Sequence, residues 1–176
     1  FMNLDEVIRK VPDFPKPGIL FYDITTIFTH PEAFAYVIDQ MVDYYEEFRI
    51  DGVVGIESRG FLVASAYCIR TGKPLVLARK KGKLPGKTVS QSYALEYGEA
   101  TLEMHADDIV ADHRYLIIDD LIATGGTIEA VAAMIKHQNA LVAGVFSIIG
   151  LPFLPYKRKL SAFDVKTLIE YSSEKA

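Results

Sequence analysis

Tyr115-Leu116-Ile117-Ile118-Asp119-Asp120-Leu121-Ile122-Ala123-Thr124-Gly125-Gly126-Thr127 decides how this chain folds. Tyr115 to Ile118 form an unbroken apolar run, the pattern of a short strand buried on both faces. Asp119 and Asp120 follow directly, where open α/β sheets place their ligands, beyond a strand's carboxyl end. Ala123 to Thr127 is a small, glycine-rich loop with two hydroxyls. Behind it Ile128, Val131, Ala132 and Ile135 recur at helical spacing, with Thr127 expected to cap the helix.

Strand, acids, loop and helix together make a phosphate cradle with an acidic pair in front. Gly125 and Gly126 tolerate positive φ and remove the Cβ atoms that would block close backbone approach. Loop and first-turn N–H groups, with the positive end of the helix dipole, suit a dianionic phosphate. Adjacent carboxylates would repel that phosphate, so hydroxyls or a hydrated Mg2+ are their expected partners. A sugar phosphate with free hydroxyls and a second, metal-bound phosphate satisfies both halves. A simple turn with solvated acids would be a costly use of two acids and two glycines beside a buried strand.

Outward from this motif the chain alternates strand and helix. Gly52 to Ile56 is a second buried strand, with Glu57-Ser58-Arg59-Gly60 at its carboxyl end and a helix from Phe61 to about Thr71, closed by Gly72. Leu75 to Ala78 is a third, ending on Arg79, and Leu141 to Ile149 a fourth, ending at Gly150-Leu151-Pro152. Such alternation implies a parallel sheet with right-handed crossovers, so the loops gather on one edge. Arg59, Arg79 and the Asp119-Asp120 loop are expected to meet there. Upstream, Gly18 to Asp23 reads as extended. Thr29 and Glu32 read as a capping box for a helix running to about Arg49, with Phe34, Val37, Ile38, Met41, Val42, Tyr45 and Phe48 on its apolar face.

Arg79, Lys80, Lys81, Lys83 and Lys87 crowd one short segment. Gly82 to Thr88 imitates a P-loop and fails the pattern: three residues separate its glycines where four are needed, a proline intervenes, and no helix follows. Alternation from Thr88 to Tyr97, a turn at Gly98-Glu99 and a return through Leu102 and Met104 predict a β-ribbon, and with the basic loop a lid. Phe163 to Tyr171 is expected as an edge strand, and Ser172 to Ala176 as a frayed tail.

Composition narrows the class. The 176 residues suit one domain, 50% hydrophobic and 24% charged, with a net charge of −4 that argues against general nucleic-acid binding. No apolar run approaches the roughly 20 residues needed to span a bilayer, and Phe1-Met2-Asn3 lacks the start of a signal peptide. Cys68 stands alone, which fits a reducing cytoplasm, and the four histidines lack zinc-like spacing.

Several separated segments then resemble adenine phosphoribosyltransferases, within the type I phosphoribosyltransferases. They are Asp13 to Gly18, Glu57 to Phe61, Arg79 to Pro85, Tyr93 to Gly98 and the central motif. The resemblance implies a single domain over 1–176: a mostly parallel α/β sheet flanked by helices, a small hood to which the N-terminal segment to about residue 30 contributes, and a flexible ribbon lid over about 79–105. It implies transfer of the 5-phosphoribosyl group from phosphoribosyl pyrophosphate (PRPP) to adenine, giving AMP and pyrophosphate, with Mg2+ held mainly through substrate and water. Asp119 and Asp120 would face the ribose and Ala123, Thr124, Gly125, Gly126 and Thr127 the 5′-phosphate. Ser58, Arg59, Arg79 and Lys83 would attend the pyrophosphate. Phe21 and Leu151 would sandwich the base beside main-chain groups of Leu20 to Tyr22, with Glu96 as the acid-base residue. A homodimer is also implied, with no nucleic-acid or membrane partner. One departure concerns Tyr22, where many family members carry arginine. Two rivals are transfer to hypoxanthine or xanthine, and a non-catalytic PRPP sensor on the same fold.

Overall fold

Residue by residue, burial explains which segments join the sheet and which cover it. The structure, a computed structural model, describes residues 1–95 and 97–175. The elements in chain order are α1 (Leu4–Val7), β1 (Arg9–Pro12), β2 (Leu20–Asp23), α2 (Thr25–Phe28), α3 (Pro31–Tyr44), β3 (Gly52–Ile56) and α4 (Arg59–Thr71). β4 (Leu75–Lys80), β5 (Thr88–Ala94), β6 (Glu99–His105), β7 (Arg114–Ile122), α5 (Gly126–His137), β8 (Leu141–Gly150), α6 (Tyr156–Lys159) and β9 (Val165–Glu170) complete them. Seven strands form the main sheet in the order β5-β6-β4-β3-β7-β8-β9, and β1 and β2 make a separate antiparallel hairpin.

β3, β4, β7, β8 and β9 are parallel, so their carboxyl ends share one edge. Every residue of β3 is buried, as a strand covered on both faces requires. On one face Leu116, Ile118, Phe146 and Ile148 pack against α3, α4 and the β1–β2 hairpin; on the other Ile117, Val145 and Tyr115 pack against α5. Among the described residues the ribbon β5–β6 meets the rest of the sheet through two register pairs, Arg79 with Glu103 and Lys80 with Leu102. Its root is nonetheless anchored, because Leu102 and Met104 are buried in the α5-side core.

Several expected boundaries shift. β7 runs to Ile122, so Asp119 and Asp120 lie inside the strand; pairing of Leu121 with Ile149 and Ile122 with Gly150 carries the ladder past them. Helix α5 starts at Gly126 with Gly125 as its N-cap, so Thr127 sits within the first turn. The capping box does not form. Pro31 occupies the first helical position, which makes His30 the cap, and the Thr29 hydroxyl donates instead to the Thr26 carbonyl at 2.9 Å. Helix α3 ends at Tyr44, and beyond it Tyr45 and Phe48 pack edge to face at 5.1 Å within a turn. Helix α4 begins at Arg59 rather than Phe61. At the ribbon's tip the Leu95 amide donates to the Gly98 carbonyl at 3.0 Å.

Residues 172–175 are pinned where fraying was expected, and Ala176 lies outside the described residues. The Leu20 amide donates to the Glu174 carbonyl at 2.6 Å, the Tyr22 hydroxyl to the Ser173 carbonyl at 2.5 Å, and Ile19 bridges Lys175. Strand β2 offers a free edge opposite β1, and the tail fills it.

Candidate active site at the carboxyl edge of the sheet

Parallel register sets the neighbours. Gly55 pairs with Ile118 and Ile56 with Ala78, so the segment after β3 lies between the acids of β7 and the basic end of β4. Gly150 pairs with Ile122, and the Leu151 amide donates to the Ile122 carbonyl at 3.0 Å, which brings Leu151 beside the phosphate loop.

The loop itself is shaped by glycine. Gly125 has φ +86°, and a Cβ there would come within 3.3 Å of Tyr156 Cβ and Leu160 Cγ. It turns the chain so that β7 feeds the amino end of α5. Ala123, Thr124, Gly125 and Thr127 line a cavity of about 100 Å³ together with Asp119, Leu121, Ile122 and Ile128. Its dimensions, backbone amides and helix terminus suit one phosphate group. Tyr93 and Ala94 of the ribbon lie against the loop, within 3.5 and 3.9 Å of where a Gly126 Cβ would stand.

The two acids differ in surroundings. Asp119 Oδ1 accepts the Asp120 amide at 2.8 Å. Burial, then the adjoining Asp120 carboxylate, pushes the Asp119 carboxyl well above the usual range. Asp120 is buried, and its Oδ2 accepts the Arg59 Nε–H at 2.6 Å. Gly60 makes that approach of α4 to β7 feasible: a Cβ there would lie 3.0 Å from the Ile118 carbonyl oxygen and 3.2 Å from Asp119 Cα.

Cations and the β1–β2 hairpin complete the edge. Arg79 forks onto Glu57, Nε to Oε2 at 3.2 Å and Nη2 to Oε1 at 3.3 Å, and the Lys80 amide donates to the same Oε2 at 3.2 Å. Burial tends to raise the Glu57 carboxyl, but the Arg79 fork and the Lys80 amide outweigh it and hold the group below its usual range. Ser58 is exposed at the start of α4, and Lys83 is exposed in the basic loop, its carbonyl 3.5 Å from Arg79 Nη1. At the β1–β2 hairpin, Phe21 stands edge to face with Phe14 at 5.0 Å, while Tyr22 turns into the core that also contains Leu151. Glu96 lies outside the described residues.

The phosphoribosyl transferase domain profile matches residues 23–173. An adenine phosphoribosyltransferase of Treponema denticola is 52% identical over 172 residues, which cover 98% of this chain and 90% of that protein. The chain belongs to the adenine phosphoribosyltransferase family. Solved adenine phosphoribosyltransferases share its architecture. The Thermoanaerobacter pseudethanolicus structure superposes with a TM-score of 0.91 at 40% identity, covering 96% of this chain and 100% of that one. The Saccharomyces cerevisiae structure, a complex with an imino-altritol bisphosphate and adenine, gives 0.88 at 35% identity, covering 94% and 96%.

Within this adenine phosphoribosyltransferase fold, sequence reasoning assigned no role to Glu57 or Gly60. Glu57 had a legible signal, an acid at the carboxyl end of a buried strand, the same placement that drew attention to Asp119. Gly60 had none, because the requirement comes from β7 crossing beside it. Among the described residues no cluster of three or more His, Cys, Asp or Glu side chains is arranged to enclose a metal ion. With Asp120 on Arg59 and Asp119 at the loop, the donor set fits a Mg2+ held through water and substrate oxygens.

Proposed function

We propose that this chain transfers the 5-phosphoribosyl group of PRPP to adenine, giving AMP and pyrophosphate. The observation that carries the reading is the meeting, at one sheet edge, of the glycine-shaped loop cavity with the Asp119-Asp120 pair and two paired arginines, in a chain of this family. The 5′-phosphate sits on Ala123 to Thr127. Asp119 and Asp120 face the ribose hydroxyls, where the negative charge of the pair favours the oxocarbenium character that develops as the C1–O bond to pyrophosphate breaks. Ser58, Arg59, Arg79 and Lys83 receive the departing pyrophosphate, and Glu96 handles the base proton. Phe21 and Leu151 cover the two faces of adenine, and main-chain groups of Leu20 to Tyr22 read its edge. Asp119 and Asp120 would hold a Mg2+ through water, and the ion would supply neutralising charge on the pyrophosphate oxygens.

The whole chain acts as one domain, with residues 79–105 as basic loop and lid and the segment to about residue 30 in the hood. The two-pair attachment of the ribbon supports a lid. Exposed Leu62 and Ile69 on α4, beside a cavity of about 650 Å³ lined by Phe34 and Ile38, support a homodimer. The lone buried Cys68 fits a cytoplasmic setting, and no described helix is long and apolar enough to cross a membrane.

PRPP-dependent turnover measured separately with adenine, hypoxanthine, guanine and xanthine tests the assignment. Adenine alone should support rapid pyrophosphate release. Preference for hypoxanthine or xanthine would move the specificity, and PRPP binding without turnover on any base would make the protein a sensor.

A further inference from the structure

Tyr171 touches both halves of the base site without belonging to either. Its amide donates to the Gly150 carbonyl at 3.1 Å, next to Leu151. Its ring stacks on Tyr22, centroids 3.8 Å apart and planes 7° from parallel, next to Phe21. Its hydroxyl donates to Asp5 Oδ1 at 2.7 Å, and Asp5 is held in turn by Lys10 Nζ at 2.7 Å. Lys10 pairs with Tyr22 across the β1–β2 hairpin and stands 5.9 Å from the centre of the Tyr171 ring. Immediately downstream the chain is tied to β2 through Ser173, Glu174 and Lys175.

Among the described residues, hairpin β1–β2 shares no ladder with the main sheet. Its position over the carboxyl edge therefore depends on side-chain packing and on these few bonds. Side chains alternate along β2, so Tyr22 anchors the strand from the face opposite Phe21. Loss of the anchor would let the hairpin sample displaced positions, and the apparent affinity of a site scales with the fraction of molecules that hold it assembled.

We propose that Tyr171, with the tail from Ser173 to Lys175, is a positioning latch that fixes the spacing between Phe21 and Leu151 and thereby tunes affinity for the planar purine base. The inference rests on the reading above that these two residues cover adenine. It also gives the Tyr22 side chain a role in place of the family's arginine: a structural anchor on the tail, with no side-chain contact to the base.

The test uses the full enzyme and three variants: Y171F, Y171A and a chain truncated after Tyr171. Two readouts are taken, hydrogen exchange at the Leu20 amide and the separate KM values for adenine and PRPP. Truncation and Y171A should each abolish Leu20 protection and raise KM for adenine about tenfold, leaving KM for PRPP within about twofold. Y171F keeps the stack and should raise KM for adenine only about threefold. Unchanged Leu20 protection after truncation would overturn the latch. Lost protection with an unchanged KM for adenine would overturn the proposal through its other premise, the placement of the base at Phe21 and Leu151. A parallel rise of both KM values would also sink it, since general loosening would explain that result.

Discussion

The phosphate loop and the cationic flank stand side by side on one sheet edge and are built from different materials. The loop is backbone: a left-handed Gly125, first-turn amides of α5, and walls supplied by a strand paired on both sides. Its geometry is fixed by backbone and strand pairing, the kind of rigid frame that preorganised electrostatics demands. The flank is made of long side chains, and its two arginines are held by acids of the same site, Arg59 on Asp120 and Arg79 on Glu57. If the flank takes the pyrophosphate as proposed, that ligand must compete with carboxylates for the same guanidinium donors. Affinity on this side would then be set by exchange of partners, and on the loop side by shape.

Removing charge from the buried end of the comparison should have the largest effect. The Asp119→Asn/Asp120→Asn double variant should keep the fold and lose about 10^3-fold or more in kcat, measured by pyrophosphate release. Near-normal turnover would take both residues out of the reaction. Asp119→Asn alone carries a stability signature. The folded-state pKa of Asp119 is raised, so its protonated form is favoured by folding; that contribution is full below about pH 4 and is lost as pH climbs through the raised value. The neutral asparagine should flatten the decline in Tm that sets in above about pH 4.

Gly125→Ala attacks the backbone directly. A left-handed conformation costs an alanine roughly 1–2 kcal/mol, before the 3.3 Å approaches to Tyr156 and Leu160 are counted. Activity at subsaturating PRPP should drop about 10^2-fold, with a lower Tm.

On the side-chain flank the expected effects are smaller. Glu57→Gln loosens Arg79 and should change KM for PRPP by about tenfold or less, the scale of one charged hydrogen bond. Because Glu57 is held below its usual range when folded, the stability it contributes is present above about pH 4.3 and lost as acid titrates it. The Tm gap between wild type and variant should therefore close below about pH 4. If it widens there, the fork is not what holds Glu57.

Hydrogen exchange sharpens the contrast within the ribbon. PRPP with Mg2+ should increase protection in the basic loop over 81–87 and at the 95–98 turn, while Leu102 and Met104 stay protected throughout. Equal protection of the tip in both states would count against a lid. The smallest change belongs to Tyr22→Phe. The stack on Tyr171 survives and one hydrogen bond to Ser173 is lost, so kcat/KM for adenine should move less than tenfold and base preference not at all.

Much of the fold was legible because burial writes itself into apolar runs: β3, β7 and β8 each show one, and Gly72 closes α4 in the left-handed form expected of it. The end of β7 was not, because two acids look like the close of a strand until the partner strand is known to continue to Gly150. The composition of the phosphate loop could be read locally, whereas Gly125 rather than Thr127 as the cap depends on the turn's dihedral angles. The pairing of Arg59 and Arg79 joins residues distant in the chain, and nothing in either segment names its partner. The tail failed for the same reason. Polar and terminal, it reads as loose, yet the free edge of β2 and the ring of Tyr22 are waiting for it.

The adjacency of β3 and β7 bears on synthesis and folding. Arg59 and Asp120 are 61 residues apart, and the ribbon strands are made between them yet end up on the outer edge of the sheet. A chain leaving the ribosome therefore carries both arginines and Glu57 well before the acids and the loop exist. No amino-terminal fragment ending before β7 holds the site, so PRPP cannot chaperone early intermediates. Long-range parallel pairing of this kind forms late. PRPP should accordingly slow unfolding far more than it speeds folding.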